Sequence, residues 1–530
     1  MTDSSILLPN TQAVTSDCLY NLKPSAVRSR SYRASIPPTN KSSFVPGDTM
    51  IFYVPGGRRN TYLDTAQSYI RYTIKNNDTS YSATFDGSGA CVLNRLDAFH
   101  GSNLLETIQQ YNAVYNYILD VQTNAASRIG MSAAYGFNTN LTGGLYITES
   151  QSSSTTATTI IITAANSAIQ PGQIVVGTNI PPNTTVISVS GTTITTSGGM
   201  TVATLTQDVE FYSSGSPLSV VRAGSTLAAS GGSQTICMPV MSGVIGMYSE
   251  KALPIGLLVD DIRLEFSLEQ NLIGMVWSGT PTNNWTITNA ELELCIIELS
   301  DEGEQMVRSI TPPERPIYIH SSSWRHYVSS LAASTSGMYS TLVPARFASV
   351  KQLVLCPRRS TEINSATSYS LSSRINPNIQ TYWWRCGSSI IPNKYITLDN
   401  GGSTTAGFAE GFTELLRSWH ALNSYYISTS LPYNVYNVAD GGAATFANGN
   451  IQSISTFSNS FLNGFVIAQE LESFAQKNDV MIAGLNTLSS QVFFECNIAS
   501  TGPTVSYTLD FYAWYDQILV LENGILSVRF

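Results

Sequence analysis

The stretch Cys237–Asn271, CMPVMSGVIGMYSEKALPIGLLVDDIRLEFSLEQN, decides how the rest of the chain is read. In its last third, Ile262, Leu264, Phe266 and Leu268 alternate with Arg263, Glu265, Ser267 and Glu269. A period of two predicts a strand with one buried and one wet face. Just before it, Pro254, Ile255, Leu257 and Leu258 are too apolar and too irregular for a surface loop, so they are expected to be an anchor. Gly243 and Gly246 bracket a predicted tight bend. An apolar anchor feeding an amphipathic strand in mid-chain is the pattern that the flanking sequence must explain.

Composition narrows the classes. At 530 residues the chain is too long for one small core. It divides into three or four domains of about 150 residues, or two all-β units of roughly 200–250. Charged residues are 12% of the chain, about half the usual quarter. Their place is taken by Ser, Thr, Asn and Gly, as on surfaces that are buried against copies of the same chain or displayed outside a cell. The net charge of −9 argues against non-specific nucleic-acid binding by the whole chain, which needs a basic stripe. Seven cysteines, Cys18, Cys91, Cys237, Cys295, Cys356, Cys386 and Cys496, form no CxxC pair. An odd number at long spacing reads as free thiols in a reducing compartment. The first residues, MTDSSILLPNTQAV, lack the basic and apolar regions of a signal peptide. No uncharged apolar run reaches the roughly 18 residues of a membrane helix.

Working outward, residues 1–35 read as an arm made locally basic by Lys23, Arg28, Arg30 and Arg33. It packs on a neighbour or meets anionic material such as a genome or membrane. Thr49–Val54 is apolar on both faces and predicts a strand packed on two sides. Ser68–Ile74 is the next strand. Leu104, Leu105, Ile108, Tyr111, Val114, Tyr115 and Ile118 recur at helical spacing, which predicts a helix over 103–119 with Asn103 and Glu106 as a capping pair. Residues 150–207 contain no Asp, Glu, Lys or Arg, and their short Ile and Val runs predict a small inserted β unit rather than a linker. Glu291–Ile296 is another strand, and 311–316 (TPPERP) is a rigid breaker taken as a boundary. The second half repeats the order: a strand-like run Leu342–Leu355, a helix over 410–423, apolar Phe461–Ile467, and closing strands at Val492–Ile498 and from Val505 onward. Asn523-Gly524 is a tight-turn signal.

No catalytic pattern emerges. The four histidines His100, His320, His326 and His420 show no HExxH or zinc spacing, and no phosphate-binding GxxxxGK[ST] is present. Asp260-Asp261 reads as solvated charge or a subunit salt bridge. Trp383-Trp384 reads either as a sugar platform or as one core and one interface tryptophan, the latter favoured in a β-sandwich. No cofactor and no metal are expected.

Alternating strands with one helix per half imply two β-sandwiches in tandem. Four blocks then carry a resemblance: 46–74 (PGDTMIFYVPGGRRNTYLDTAQSYIRYTI), 102–120 (SNLLETIQQYNAVYNYILD), 237–268, and 510–530 (DFYAWYDQILVLENGILSVRF). In this order they resemble double jelly-roll major capsid proteins of virophages and Polinton-like viruses, within the adenovirus-like lineage of double-stranded DNA viruses. The resemblance implies an all-β fold of two tandem eight-stranded jelly rolls with one short helix each. It implies an arm over 1–35, a first jelly roll over 36–310 with residues 149–208 inserted in an outer loop, and a second over 311–530. The implied function is that of a non-enzymatic major capsid protein. Homotrimers would form pseudo-hexagonal capsomers that tile an icosahedral shell, with penton and minor capsid proteins as further partners and the virion as location. Leu257, Leu258, Trp383 and Trp384 are the expected interface residues. The rivals are a carbohydrate-binding or glycan-cleaving β-sandwich and a viral spike or fibre protein.

Overall fold

The computed structural model describes residues 27–530 apart from 138–146, parts of 157–207, 213–223, 271–272, 311–314, 399–407, much of 422–463 and 474–481. Cys18, the first four residues of the 311–316 breaker and Phe461 lie outside the described residues.

Among the described residues the chain is built on antiparallel sheets. Of the strands up to Leu299, Thr226–Leu227, Ala83–Phe85 and Met275–Trp277 form a separate three-stranded sheet, and nine others make one sandwich. Its five-stranded sheet runs Ser29–Ile36, Trp285–Leu299, Thr61–Asn76, Ser233–Pro239, with Ser43–Phe44 added beside Trp285–Leu299. Its four-stranded sheet runs Thr49–Val54, Ile262–Leu268, Leu93–His100, Asn103–Gln109. From Ile317 the arrangement recurs. A five-stranded sheet runs Ile317–Leu331, Tyr507–Glu522, Val350–Arg359, Ile467–Glu470, with Ile525–Arg529 on Tyr507–Glu522. A four-stranded sheet runs Gly337–Val343, Val492–Ile498, Ile379–Cys386, Ser389–Thr397. Each sandwich thus has eight principal strands and one short extra strand, which is the double jelly-roll architecture.

The opening strand behaves as its alternation predicts. Ile262, Leu264, Phe266 and Leu268 are all buried, and Phe266 meets Phe52 and Tyr111 edge-on. The first is a cross-strand contact within one sheet, and the second joins that sheet to the helix Tyr111–Gln122. The closing hairpin is equally legible: Asn523 and Gly524 both have positive φ, 51° and 78°, as a two-residue primed turn between Tyr507–Glu522 and Ile525–Arg529 requires.

Several expectations are corrected. Asn103–Gln109 is a strand paired to Leu93–His100, and the helix begins only at Tyr111. Hydrogen bonding to a neighbouring strand overrides a local helical spacing, so Asn103 and Glu106 cap nothing. Thr49–Val54 buries only Met50, Phe52 and Val54, and Tyr53 is exposed. The predicted run Leu342–Leu355 is two strands, Gly337–Val343 and Val350–Arg359, separated by a turn. The presumed arm ends in a strand: Ser29–Ile36 pairs with Leu292–Leu299, and Arg30 meets Glu298 at 2.7 Å. Helices are more numerous than one per half, with Ala125–Gly130, Ser132–Tyr135 and Asp301–Ile310 besides Tyr111–Gln122 and Ala409–Ser418.

The uncharged insertion is a sheet of its own, six strands in the order Ile174–Val176, Asp208–Tyr212, Ile147–Thr156, Thr159–Ile162, Thr193–Thr196, Val186–Ser190. Ile160, Ile162, Ile169, Val175, Val186, Ile194, Val209 and Phe211 form a core separate from the main one. In Thr159–Ile162 and Thr193–Thr196 alternate residues are buried, Ile160, Ile162 and Ile194 among them, so the β-branched runs let a charge-poor segment fold.

Candidate functional site

Two features of this frame can act on other molecules or hold the chain in one shape: the seam where the sandwiches meet, and the outward faces of their four-stranded sheets.

The seam is organised by the stretch that opened the sequence. Beyond Cys237, its bend at 242–246 threads between the two sandwiches. A Cβ on Gly243 would lie 2.5 Å from the Ser322 carbonyl oxygen and from the Gln517 amide, and one on Gly246 would strike the Val240 carbonyl. Close approach, rather than positive φ, demands glycine at both positions. Three carboxylates of the first sandwich lie fully buried here. Glu106 accepts from the Gly243 N–H at 3.0 Å and from the hydroxyls of Ser242 and Ser323. Asp86 accepts from the N–H groups of Leu371 (2.7 Å) and Ser372 (3.1 Å). Asp120 accepts from Arg128 at 2.6 Å and from Arg374. Ser323, Leu371, Ser372 and Arg374 belong to the second half, so each carboxylate ties the halves together.

Burial raises the Glu106 carboxyl above its ordinary range against the pull of its serine donors, and it pushes Asp86 up to about 6. Removing any partner would leave a buried polar group unpaired. Beside these groups Trp324, Trp419 and Trp514 stack at 5.7–6.1 Å. Tyr117 accepts from the Trp419 indole N–H at 2.7 Å, and Tyr248 packs on Trp514 at 5.9 Å.

The second sandwich's long strand Tyr507–Glu522 is buried on both faces for most of its length. Asp510 on this strand pairs with Arg358 at 2.6 Å and His326 at 2.8 Å. Burial would raise it, but the Arg358 guanidinium and the hydrogen bond with His326 hold its carboxyl below the usual range.

The four expected interface residues separate. Leu258 is 3% exposed and Trp384 is 1% exposed, so their surface is spent inside the chain. Trp384 packs against Phe494 and Phe511 at 5.0 and 5.9 Å. Leu257 is half-buried. It lines a 320 Å³ cavity with Tyr62, Lys251, Glu304, Arg308 and Tyr318, among others, between the two sandwiches and the Asp301–Ile310 helix. The apolar anchor is therefore first of all an intrachain seam. Trp383 is half-buried on the outward face, and its indole N–H donates to Glu495 at 2.7 Å. With its neighbour turned inward, the Trp383-Trp384 pair forms no shared platform for a sugar. Asp261 accepts from the Gly56 N–H at 2.9 Å, a local tie rather than a free charge.

The outward faces differ. On the first four-stranded sheet, Arg263 pairs with Glu265 at 3.0 Å and Arg95 with Asp97 at 2.7 Å, and Arg263 lies over Phe99. On the second, Arg385 and Glu495 are the central pair at 2.8 Å. They are surrounded by exposed Met338 (65%), Tyr395 (60%), Leu342 and Ile390.

Sequence reasoning singled out His320 and His326 but missed the three seam carboxylates. The one signal was a carboxylate at Glu106 within an otherwise apolar run. Among the described residues one trio, His420, Glu470 and Glu472, offers metal-type ligand atoms within 4.8 Å of one another. The ring's Nδ1 faces Glu470 at 3.4 Å, its Nε2 faces Glu472 at 3.5 Å, and the Lys351 ammonium already lies 3.3 Å from Glu472. The carboxylates sit on opposite nitrogens and a cation is already supplied, so the trio is built as ion pairs.

No family model matches the chain, and no curated protein matches its sequence. Solved structures match in fold. A chain in the 3.5 Å cryo-EM structure of the Sputnik virophage aligns at a TM-score of 0.52 and 14% identity, over 100% of this chain and 94% of that one. The Faustovirus major capsid protein aligns at 0.48 and 8%, over 96% and 92%. The mavirus major capsid protein aligns at 0.42 and 10%, over 98% and 96%. The fold assignment rests on the Sputnik likeness together with the strand order. The chain has the double jelly-roll fold, the fold of viral major capsid proteins.

Proposed function

We propose that this protein is the major capsid protein of a double-stranded DNA virus and that its work is assembly rather than catalysis. The observation that carries the reading is the seam: two eight-stranded sandwiches are locked by three buried carboxylates and a tryptophan cluster into one block, within a fold shared with a Sputnik virophage chain. Three such blocks present six jelly rolls, a pseudo-hexagonal tile suited to an icosahedral shell. The boundary falls near residue 311, with the first jelly roll extended back from 36 to include the strand Ser29–Ile36 and 311–530 as the second. The insert 149–208 stands in an outer loop on the exterior. Penton and minor capsid proteins complete the shell, and the virion is the protein's location.

Because the two outward faces differ, contact between copies is head-to-tail, which closes into a ring when the rotation allows. Such an obligate interface should bury at least about 2,000 Å², with Trp383 and Leu257 as the members of the expected set that still have surface to give. The test is the copy number of the chain in purified particles. Hundreds of copies per particle are expected. A few copies confined to vertices would replace the reading with a spike or fibre protein.

A further inference from the structure

One array of charges is not needed to explain the fold or the proposed assembly. It begins at Glu250, in the stretch between the bend and the apolar anchor, and runs into the second sandwich. Glu250 Oε1 lies 2.8 Å from His320 Nδ1, and His320 Nε2 lies 3.2 Å from Asp516 Oδ1. Asp516 Oδ1 is 3.5 Å from Lys351 Nζ, which is 3.3 Å from Glu472 Oε1. Glu472 Oε2 is 3.5 Å from His420 Nε2, and His420 Nδ1 is 3.4 Å from Glu470 Oε2.

Seven groups alternate acid and base without a break, four carboxyls and three bases. Each histidine has a carboxyl group at both nitrogens, an arrangement that neutral imidazole cannot satisfy when both partners are ionised, because one of its nitrogens is then an acceptor facing an acceptor. The array is also mechanically placed. The Glu250 N–H meets the His320 carbonyl at 3.4 Å, Ser249 bridges to Ser321, Ser349 donates to Asp516 at 2.6 Å, and Lys351 lies over Trp514 of the seam.

We propose that this array is a proton-loaded latch that fastens Glu250 across the seam through His320 and braces the second sandwich behind it through His420, closed while both histidines are imidazolium and loosened when they give up their protons.

The linkage has a definite sign. Asp516 first and Glu250 after it raise His320 above its ordinary value against burial, and Glu472 and Glu470 do the same for His420. A raised histidine contributes stability that is fully present below its unfolded value near 6.5 and is lost as pH rises through the folded value. Glu470 acts in the same direction. Burial pushes it up to about 7 despite His420, Arg417 and Lys351, so its contribution drains away as pH climbs through that range. Glu472 is held low by His420 and Lys351 against burial, and its own loss falls on the acid side, outside this window. The remaining charge acting on this end is Arg417, on the Ala409–Ser418 helix. As pH rises above the ordinary histidine value near 6.5, these groups of the folded chain therefore hold protons that the unfolded chain has released, and alkali should open the latch.

The experiment is equilibrium urea unfolding of the full chain from pH 6 to 9, beside His320→Asn, His420→Asn and the double variant. Each proton held only by the folded state raises the unfolding constant by up to about tenfold per pH unit. The wild type should show this rise, and the double variant should show a slope flatter by one to two protons. Equal slopes would overturn the proposal. If the double variant does not fold, Glu250→Gln at the exposed end serves instead. It should move the alkaline loss of the wild type to lower pH, and an unmoved profile would again refute the latch.

Hydrogen exchange locates the event. Protection of the amides at 249–253, corrected for the intrinsic rate, should fall through the same window ahead of the strand Ile262–Leu268, and simultaneous loss would contradict a local latch. Stabilisation by added Zn²⁺ or Mn²⁺ that His420→Asn abolishes would show the ring ligating metal rather than carrying a proton, and would overturn the proposal at that end.

Discussion

The outward faces of the two four-stranded sheets make an instructive pair. Both cover equivalent sandwiches, and both carry a stacked Arg on their central strands, Arg263 over Phe99 and Arg385 over Phe493. The first face continues as a ladder of charge, with Arg263–Glu265 and Arg95–Asp97. The second surrounds one ion pair with Met338, Leu342, Ile390 and Tyr395. Architecture is repeated while surface chemistry is not. Exposed ion pairs contribute little to stability, and exposed apolar clusters mark contact surfaces. On the proposed assembly the second face would be the adhesive one, and the first, where exposed Tyr53 and Leu104 sit among ion pairs, the solvated or receiving one.

That contrast can be broken in order of expected effect. The largest change should come from inside, where the sandwiches are alike. Trp384→Ala and Leu264→Ala should each destabilise the chain by about 2–5 kcal/mol, read from urea midpoints. A far smaller cost at Trp384 would mean that its burial against Phe494 and Phe511 is not real packing.

Next come the outward faces. Met338→Glu with Tyr395→Glu should abolish self-association while leaving the urea midpoint of the isolated chain within about 0.5 kcal/mol, since exposed substitutions seldom exceed that. Sedimentation velocity decides, and unimpaired association would reverse the assignment of the adhesive face. Leu257→Glu should also block association, through a residue shared between cavity and surface. Normal association of this variant would remove Leu257 from the contact. The smallest effect belongs to the charged face: Arg263→Ala should cost at most about 1 kcal/mol, from a partly exposed ion pair and one cation–π contact. A larger loss would show that the ladder, not the aromatic face, carries stability.

Much of the frame was legible because alternation is local. Ile262–Leu268, Val492–Ile498 and the Asn523-Gly524 hairpin could be read because the side-chain pattern and the turn chemistry agreed. The helix over 103–119 was misread for the converse reason. Leu104, Leu105 and Ile108 fall at helical spacing, but Asn103–Gln109 is claimed by the neighbouring strand Leu93–His100, a non-local partner that no window contains. The seam was illegible for the same cause. Asp86, Glu106 and Asp120 meet donors between 136 and 286 residues away in Ser372, Arg374, Ser323, Ser242 and Gly243, and Arg128 is a near partner of Asp120. Of the tryptophans, Trp383 and Trp384 were conspicuous because adjacent. The trio Trp324, Trp419 and Trp514 was scattered and assembles only in the fold.

The stretch Cys237–Asn271 shows both limits at once. Its strand followed from alternation, and its bend followed from two glycines. That the bend is the hinge pin between two sandwiches, with Glu106 buried at its centre, follows only from the three-dimensional arrangement.

Light scattering on the purified full chain tests the central claim most directly. The account predicts a stable particle of three times the 57.3 kDa chain mass, persisting on dilution as an obligate interface should. A chain that remains monomeric at every concentration would contradict it.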